Sequence, residues 1–169
     1  MRAAGAVATT VGVVLLVLPA AACAGPSPAA PAPSAPSTPS APSASLPDPG
    51  RYAAELVAGT NAARAAAGLP ALAASACATD VAAPRAQALV GGDGLTHAPL
   101  TDALAACAPR TTAAENLSRT DAPAADVVTA WLGSPGHRAN LLDPALTELG
   151  VACVPDGVAL LCSQVFLGP

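Results

Sequence analysis

Two histidines, His97 and His137, are the only imidazoles in a chain of 169 residues, so any imidazole chemistry must use this pair or a single ring. His137 lies in the run Trp131-Leu132-Gly133-Ser134-Pro135-Gly136-His137-Arg138-Ala139-Asn140-Leu141-Leu142. Ser followed by Pro marks a helix start, because a Ser hydroxyl can accept orphan N–H groups and Pro at the first helical position forfeits no bond. The spacing makes His137 the third residue of that helix. There the positive end of the helix dipole favours the neutral ring, which can bind a metal or accept a proton. Ser134 and His137, three apart, also have the residue types of a nucleophile and its base, but a hydroxyl spent on capping is not free to attack. Read by itself, the run equally describes a helix packed by His137, with Arg138 and Asn140 as surface hydrogen-bonders.

The elements that must position these residues are legible from pattern. Asp48-Pro49 opens a helix over about 50–67, with Tyr52, Leu56 and Val57 on its apolar stripe and Gly68-Leu69-Pro70 ending it. A second helix runs from about Ser75 to Val90 and stops at Gly91-Gly92, with Pro84 expected to kink it. A short helix covers Thr101–Ala106, and Asp121 is placed to cap another over Pro123–Leu132 that buries Val127, Val128 and Trp131. Glu148–Val154 and Val158–Leu167 read as strands of a hairpin around Pro155-Asp156-Gly157.

Composition sets the terms of packing. Hydrophobic residues make up 53% and aromatics 2%, so the core must be built of Ala, Val and Leu, with elements packed close together. The net charge is −4 and all seven cations are Arg, which argues against a phosphate-binding surface and against nucleic acid as a partner.

The first 23 residues read as an export signal, with Met1-Arg2 before an apolar stretch at Val11–Leu18. An uncleaved membrane anchor is the structural alternative, since the apolar run from Ala3 to Ala24 is long enough to span a bilayer. Ala20-Ala21-Ala22-Cys23 offers lipidation at Cys23, and Ala22-Cys23-Ala24 offers ordinary cleavage. Cysteine parity favours lipidation: apart from Cys23 there are four, Cys77, Cys107, Cys153 and Cys162, an even set for an oxidising compartment. Residues 24–49, rich in Ala, Pro and Ser, have too little to bury and are expected to form a disordered tether. Four cysteines allow three connectivities. The nearest-neighbour choice is Cys77 with Cys107 and Cys153 with Cys162. The second pair is expected to need a bulge, because the turn at Pro155-Asp156-Gly157 would leave its members not directly opposite.

Several segments together resemble the bacterial branch of the CAP superfamily, the domain of cysteine-rich secretory proteins. They are Asn61 and Arg64 followed by Gly68-Leu69-Pro70-Ala71-Leu72, then Leu95-Thr96-His97, Ala114-Glu115-Asn116-Leu117, the Ser134-Pro135-Gly136-His137-Arg138 run, and Gln164-Val165-Phe166. Thr96 and Leu95 stand where the family has Ser and an aromatic residue, and Ala114 stands where it has Gly. The resemblance covers residues 50–169 and implies an α/β fold, a three-layer α/β/α sandwich with a central antiparallel sheet. It also implies a cleft at His97, Glu115 and His137, supported by Ser134, Arg138 and Asn140. Two imidazoles and a carboxylate are a workable ligand set for Zn²⁺, with Mg²⁺ or Ca²⁺ as alternatives. Eukaryotic members usually add a second Glu, at the position held here by Ser134; Glu148 has no role assigned by pattern. The function so implied is a non-catalytic, monomeric extracytoplasmic module. Its ligand would be a metal ion or a small apolar or cell-envelope molecule, and a lipid would hold it at the membrane. A metal-dependent hydrolase acting on envelope material is the alternative.

Overall fold

The computed structural model describes residues 45–169; the export signal, Cys23 and most of the tether lie outside the described residues. Helix α1 spans Pro49–Ala66, strand β1 Ala73–Ala74, α2 Ala76–Gln87, α3 Thr101–Ala106 and β2 Thr112–Thr120. Then come α4 Ala124–Gly133, α5 Pro135–Leu141, β3 Glu148–Asp156 and β4 Ala159–Gly168. Asp48 caps α1 by accepting from the Arg51 N–H at 2.8 Å, and Leu46 packs against the core. The folded domain therefore begins before residue 50. Among the described residues no helix is long and apolar enough to cross a membrane.

The sheet has the order β1-β3-β4-β2. Its main body is antiparallel, as expected, but β1 runs parallel to β3. Two residues are too short to show a strand period. What holds this strand is the Asn61 side chain, which donates to the Leu72 carbonyl at 3.1 Å and accepts the Leu72 N–H at 2.8 Å, imitating a neighbouring backbone. Tyr52 and Leu56 from α1, Val127 and Trp131 from α4, and Leu141 from α5 cover one sheet face, against Leu149, Leu160 and Phe166. On the other face Ala78 and Ala82 of α2 meet Val165 and Leu167. These form the three layers. Alanines let α2 sit close to the sheet, and Gly150 completes the fit: a Cβ there would lie 2.2 Å from the Thr79 nitrogen. Any side chain at 150 must lift α2 off the sheet.

Several local expectations need correction. α2 ends at Gln87 rather than Val90, the chain continuing in turns through Val90 to Gly91, which has φ +73°. Pro84 lies within α2, as expected. Asp121 does not cap α4; Pro123 holds the cap position, two residues nearer the helix, and makes no side-chain cap bond. Ser134 does occupy the cap position of α5, but its hydroxyl makes no cap bond either, and Arg138 N–H bonds its backbone carbonyl at 2.8 Å. Both expected disulfides form. No bulge is needed, because the hairpin turns on Gly157-Val158 between the paired residues Asp156 and Ala159. With Gly157 at φ +63°, a two-residue turn of this kind matches the twist of the strands. Cys153 then faces Cys162 directly, Cα to Cα 4.1 Å. Pro155 belongs to β3, where β1 no longer runs alongside and no N–H is required.

Candidate functional site

Glu115 is the centre of the site. Strand alternation turns its side chain toward α2, where it is buried, and three side chains converge on its two oxygens. Arg85, from α2, donates Nε–H to Oε1 at 2.7 Å and Nη2–H to Oε2 at 3.0 Å. Ser163, on the adjoining strand β4, donates its hydroxyl to Oε1 at 2.8 Å. His97 Nδ1 lies 2.8 Å from Oε2. Burial by itself would raise the Glu115 pKa, but the hydrogen bonds from Arg85, His97 and Ser163 and the Arg85 charge outweigh it and hold the carboxyl below its ordinary value. An ionised carboxylate only accepts, so Nδ1 of His97 carries the hydrogen. In the neutral ring Nε2 is then an acceptor. The His97 side chain is 51% exposed, a fixed ring presented to solvent.

Arg85 also positions the loop that carries His97. Its Nη2 donates to the Ala98 carbonyl at 2.8 Å and its Nη1 to the Pro99 carbonyl at 3.2 Å. One guanidinium thus joins the floor of the site to its rim.

His137 arrives from the opposite layer, around the free edge of β2. Its ring rests against Trp131 with centroids 6.4 Å apart. Burial, and secondarily the charge of nearby His97, push its pKa down. Burial, rather than the helix dipole, thus favours the neutral ring expected there. Side chains of α4 and α5 hold this edge: Trp131 Nε1–H donates to the Leu117 carbonyl at 3.2 Å and Asn140 Nδ2–H to the Glu115 carbonyl at 3.1 Å. Behind them a polar line crosses the core, with Asn140 donating to Asn116, Asn116 to Gln164 and Gln164 to Thr60. Asn140 therefore has the supporting role expected of it, whereas Arg138 is exposed and stands outside the network.

The donor set does not fit a divalent cation. Both oxygens of Glu115 are engaged by a guanidinium, an imidazole and a hydroxyl, and the Arg85 charge lies against both of them, where it repels a further cation. Among the described residues no group of three or more His, Cys, Asp or Glu side chains is placed to hold a metal ion. The carboxylate is used as a brace. Glu148 stands apart, ion-paired with Arg110. Ser134 makes no hydrogen bond with His137 and Ser163 is fully buried with its proton given to Glu115, so neither is an activated nucleophile.

Arg85 and Ser163 were not found from sequence, yet Arg85 left a signal. It falls seven residues after Ala78 and three after Ala82, on the stripe that α2 buries, and a charge on a buried stripe calls for a partner.

The sequence profile of the cysteine-rich secretory protein family matches residues 57–166. The chain belongs to the CAP family. Its CAP domain resembles a solved extracellular protein containing an SCP domain from Bacillus anthracis, at 26% identity and a TM-score of 0.61 over 72% of this chain and 41% of that one. A cysteine-rich secretory protein from Staphylococcus aureus, 21% identical, has a TM-score of 0.65 over 74% of this chain and 40% of that one, and shares the fold. An outer surface protein of Borrelia burgdorferi, 18% identical, does so at a TM-score of 0.58, over 67% of this chain and 89% of that one. The uncharacterized protein YkwD of Bacillus subtilis (strain 168) is 40% identical over 57 residues, 34% of this chain and 21% of that protein. The CAP domain chain thus spans about two-fifths of the Bacillus and Staphylococcus structures and about a fifth of YkwD.

Proposed function

We propose that the protein is a non-catalytic binding module on the outer side of a membrane, using the His97 cleft as a hydrogen-bonding site without a resident metal. The exposed ring of His97, fixed through Nδ1 to a buried and ionised Glu115, carries this reading. It is a rigid recognition group, orientated before any ligand arrives. The arrangement resembles the base and orienting carboxylate of a hydrolase, but among the described residues no serine or cysteine side chain is hydrogen-bonded to His97.

The two disulfides support an oxidising, exported location. The Bacillus anthracis relative is described as extracellular and the Borrelia one as an outer surface protein. A lipid on Cys23 would attach the domain, with the Ala/Pro/Ser segment as spacer. Replacing Cys23 with Ala should release the protein into the medium; a variant that stays with the membrane fraction would refute the lipid anchor.

Titrating the full chain with Zn²⁺ in a calorimeter should give no site whose heat is lost in both His97→Ala and His137→Ala. A screen against soluble peptidoglycan fragments should shift the ring resonances of His97 in NMR spectra without producing cleavage. Turnover abolished by His97→Ala, or Zn²⁺ uptake abolished by all three of His97→Ala, His137→Ala and Glu115→Ala, would establish the hydrolase or metal-site alternative instead.

A further inference from the structure

A second concavity lies on the outer side of α2 and shares only its Arg85 and Ala98 borders with the His97 site. It is a groove of about 600 Å³ between α2 and α3, within the size range of small-molecule sites. Val81, Pro84 and Ala88 form one wall, and Ala103 and Ala106 the other. The walls are fixed in relation to each other. The Cys77–Cys107 disulfide ties the start of α2 to the end of α3, and Arg85 ties α2 to the Ala98 and Pro99 carbonyls just before α3. The groove is therefore preformed rather than opened by a ligand.

Its charge is one-sided. Asp80 and Asp102 line it and are exposed, and neither is in an ion pair among the described residues. Arg85 also lines it, but its charge is matched by Glu115 on the far side. The chain has no Lys to neutralise the remaining pair. Polar recognition of an extended peptide is poorly served here, since the walls are helices whose backbone groups are bonded internally and Arg85 already takes the Ala98 and Pro99 carbonyls. What is left is apolar contact along small side chains and two carboxylates at the border.

The geometry points to a binding site for a cationic amphiphile, an alkyl chain lying between α2 and α3 with its ammonium or amine head beside Asp80 and Asp102. This site is separate from the His97 cleft, and its occupancy does not depend on whether that cleft binds anything.

The test titrates the full chain, below the micelle concentration, with decyltrimethylammonium, decyl maltoside and decyl sulfate, read by calorimetry and by mapping amide shifts. Decyltrimethylammonium should bind at one site, about tenfold tighter than decyl maltoside, with shifts on α2 and α3. The Asp80→Asn/Asp102→Asn double variant should lower its affinity about fivefold, the scale of two exposed charge contacts, and leave decyl maltoside unchanged. Raising the salt should have a similar effect. Ala88→Leu, at an exposed position, should fill the groove and weaken both ligands while leaving thermal unfolding unchanged. Equal affinity for the cationic and neutral chains, tighter binding of decyl sulfate, or indifference to the Asp80→Asn/Asp102→Asn change would overturn the assignment. So would shifts that map away from α2 and α3, or a basic peptide that binds the same residues more tightly than decyltrimethylammonium.

Discussion

Replacing Arg85 with Ala should destabilise the domain by about 3–5 kcal/mol at neutral pH, the usual consequence of leaving one partner of a buried ion pair uncompensated. Glu115 is buried on the α2 face of the sheet, and the loop carrying His97 loses its two bonds to the guanidinium. The pH dependence separates this from simple loss of packing. In the wild type the Glu115 carboxyl is held below its ordinary value, so the folded state binds fewer protons than the unfolded one. The stability it contributes is present above the unfolded carboxylate pKa, about 4.3, and is lost as pH falls through the folded value. In Arg85→Ala, burial is opposed only by His97 and Ser163 and the carboxyl shifts upward, so acid relieves part of the damage. Denaturant unfolding at pH 7 and pH 4 should show the gap between variant and wild type narrowing in acid. A gap that is constant with pH would mean that Arg85 contributes by its aliphatic stem alone. Pairing Arg85→Ala with Glu115→Gln should cost less than the sum of the two, since the second change removes the charge that the first exposes.

Much of the fold could be read in advance because its signals are local. The Asp48-Pro49 cap, the Val127/Val128/Trp131 stripe and the alternating β3–β4 hairpin each state their element within a few residues. What could not be read depends on residues distant in sequence. β1 exists because Asn61 bonds both backbone groups of Leu72 across eleven residues. Glu115 meets Arg85 across thirty and Ser163 across forty-eight. Resemblance to the family named His97, Glu115 and His137 as a cleft. It did not name the cation that occupies Glu115, and that cation turns a set of metal-ligand types into a braced imidazole. Cys153 and Cys162 illustrate a smaller failure. The pairing was legible, but placing the turn at Pro155-Asp156-Gly157 rather than at Gly157-Val158 moved the partners out of register, and with a side-chain period of two such an offset changes which residues face each other.

Arg64 gives the other large expected effect, and for a different physical reason. It is a buried cation, 1% exposed, whose hydrogen bonds all go to backbone carbonyls. Nε donates to Pro70 at 2.9 Å, Nη1 to Leu141 at 3.0 Å and Asp143 at 2.9 Å, and Nη2 to Leu146 at 3.3 Å. These carbonyls lie before β1, at the end of α5 and in the link to β3, so one side chain on α1 closes a helix terminus and joins three segments. Burial lowers its pKa and the Asp143 charge partly restores it, but a guanidinium remains charged at any ordinary pH. In Arg64→Ala the carbonyls lose their donor at a site whose surroundings leave little room for water. At about 1–3 kcal/mol for each group left unsatisfied, with relaxation recovering part, the expected loss is about 4 kcal/mol. That is a large share of the 5–15 kcal/mol by which a domain is usually stable. Arg64→Lys should recover only a minor part, because one ammonium cannot reach carbonyls arranged around a planar fork. Urea unfolding should show a lowered midpoint at an unchanged slope, since the site is local to the native state. Arg64→Met decides what the guanidinium contributes: it keeps most of the packing volume and supplies no donor. Stability equal to wild type in that variant would show that Arg64 only fills space and that the carbonyls find other partners.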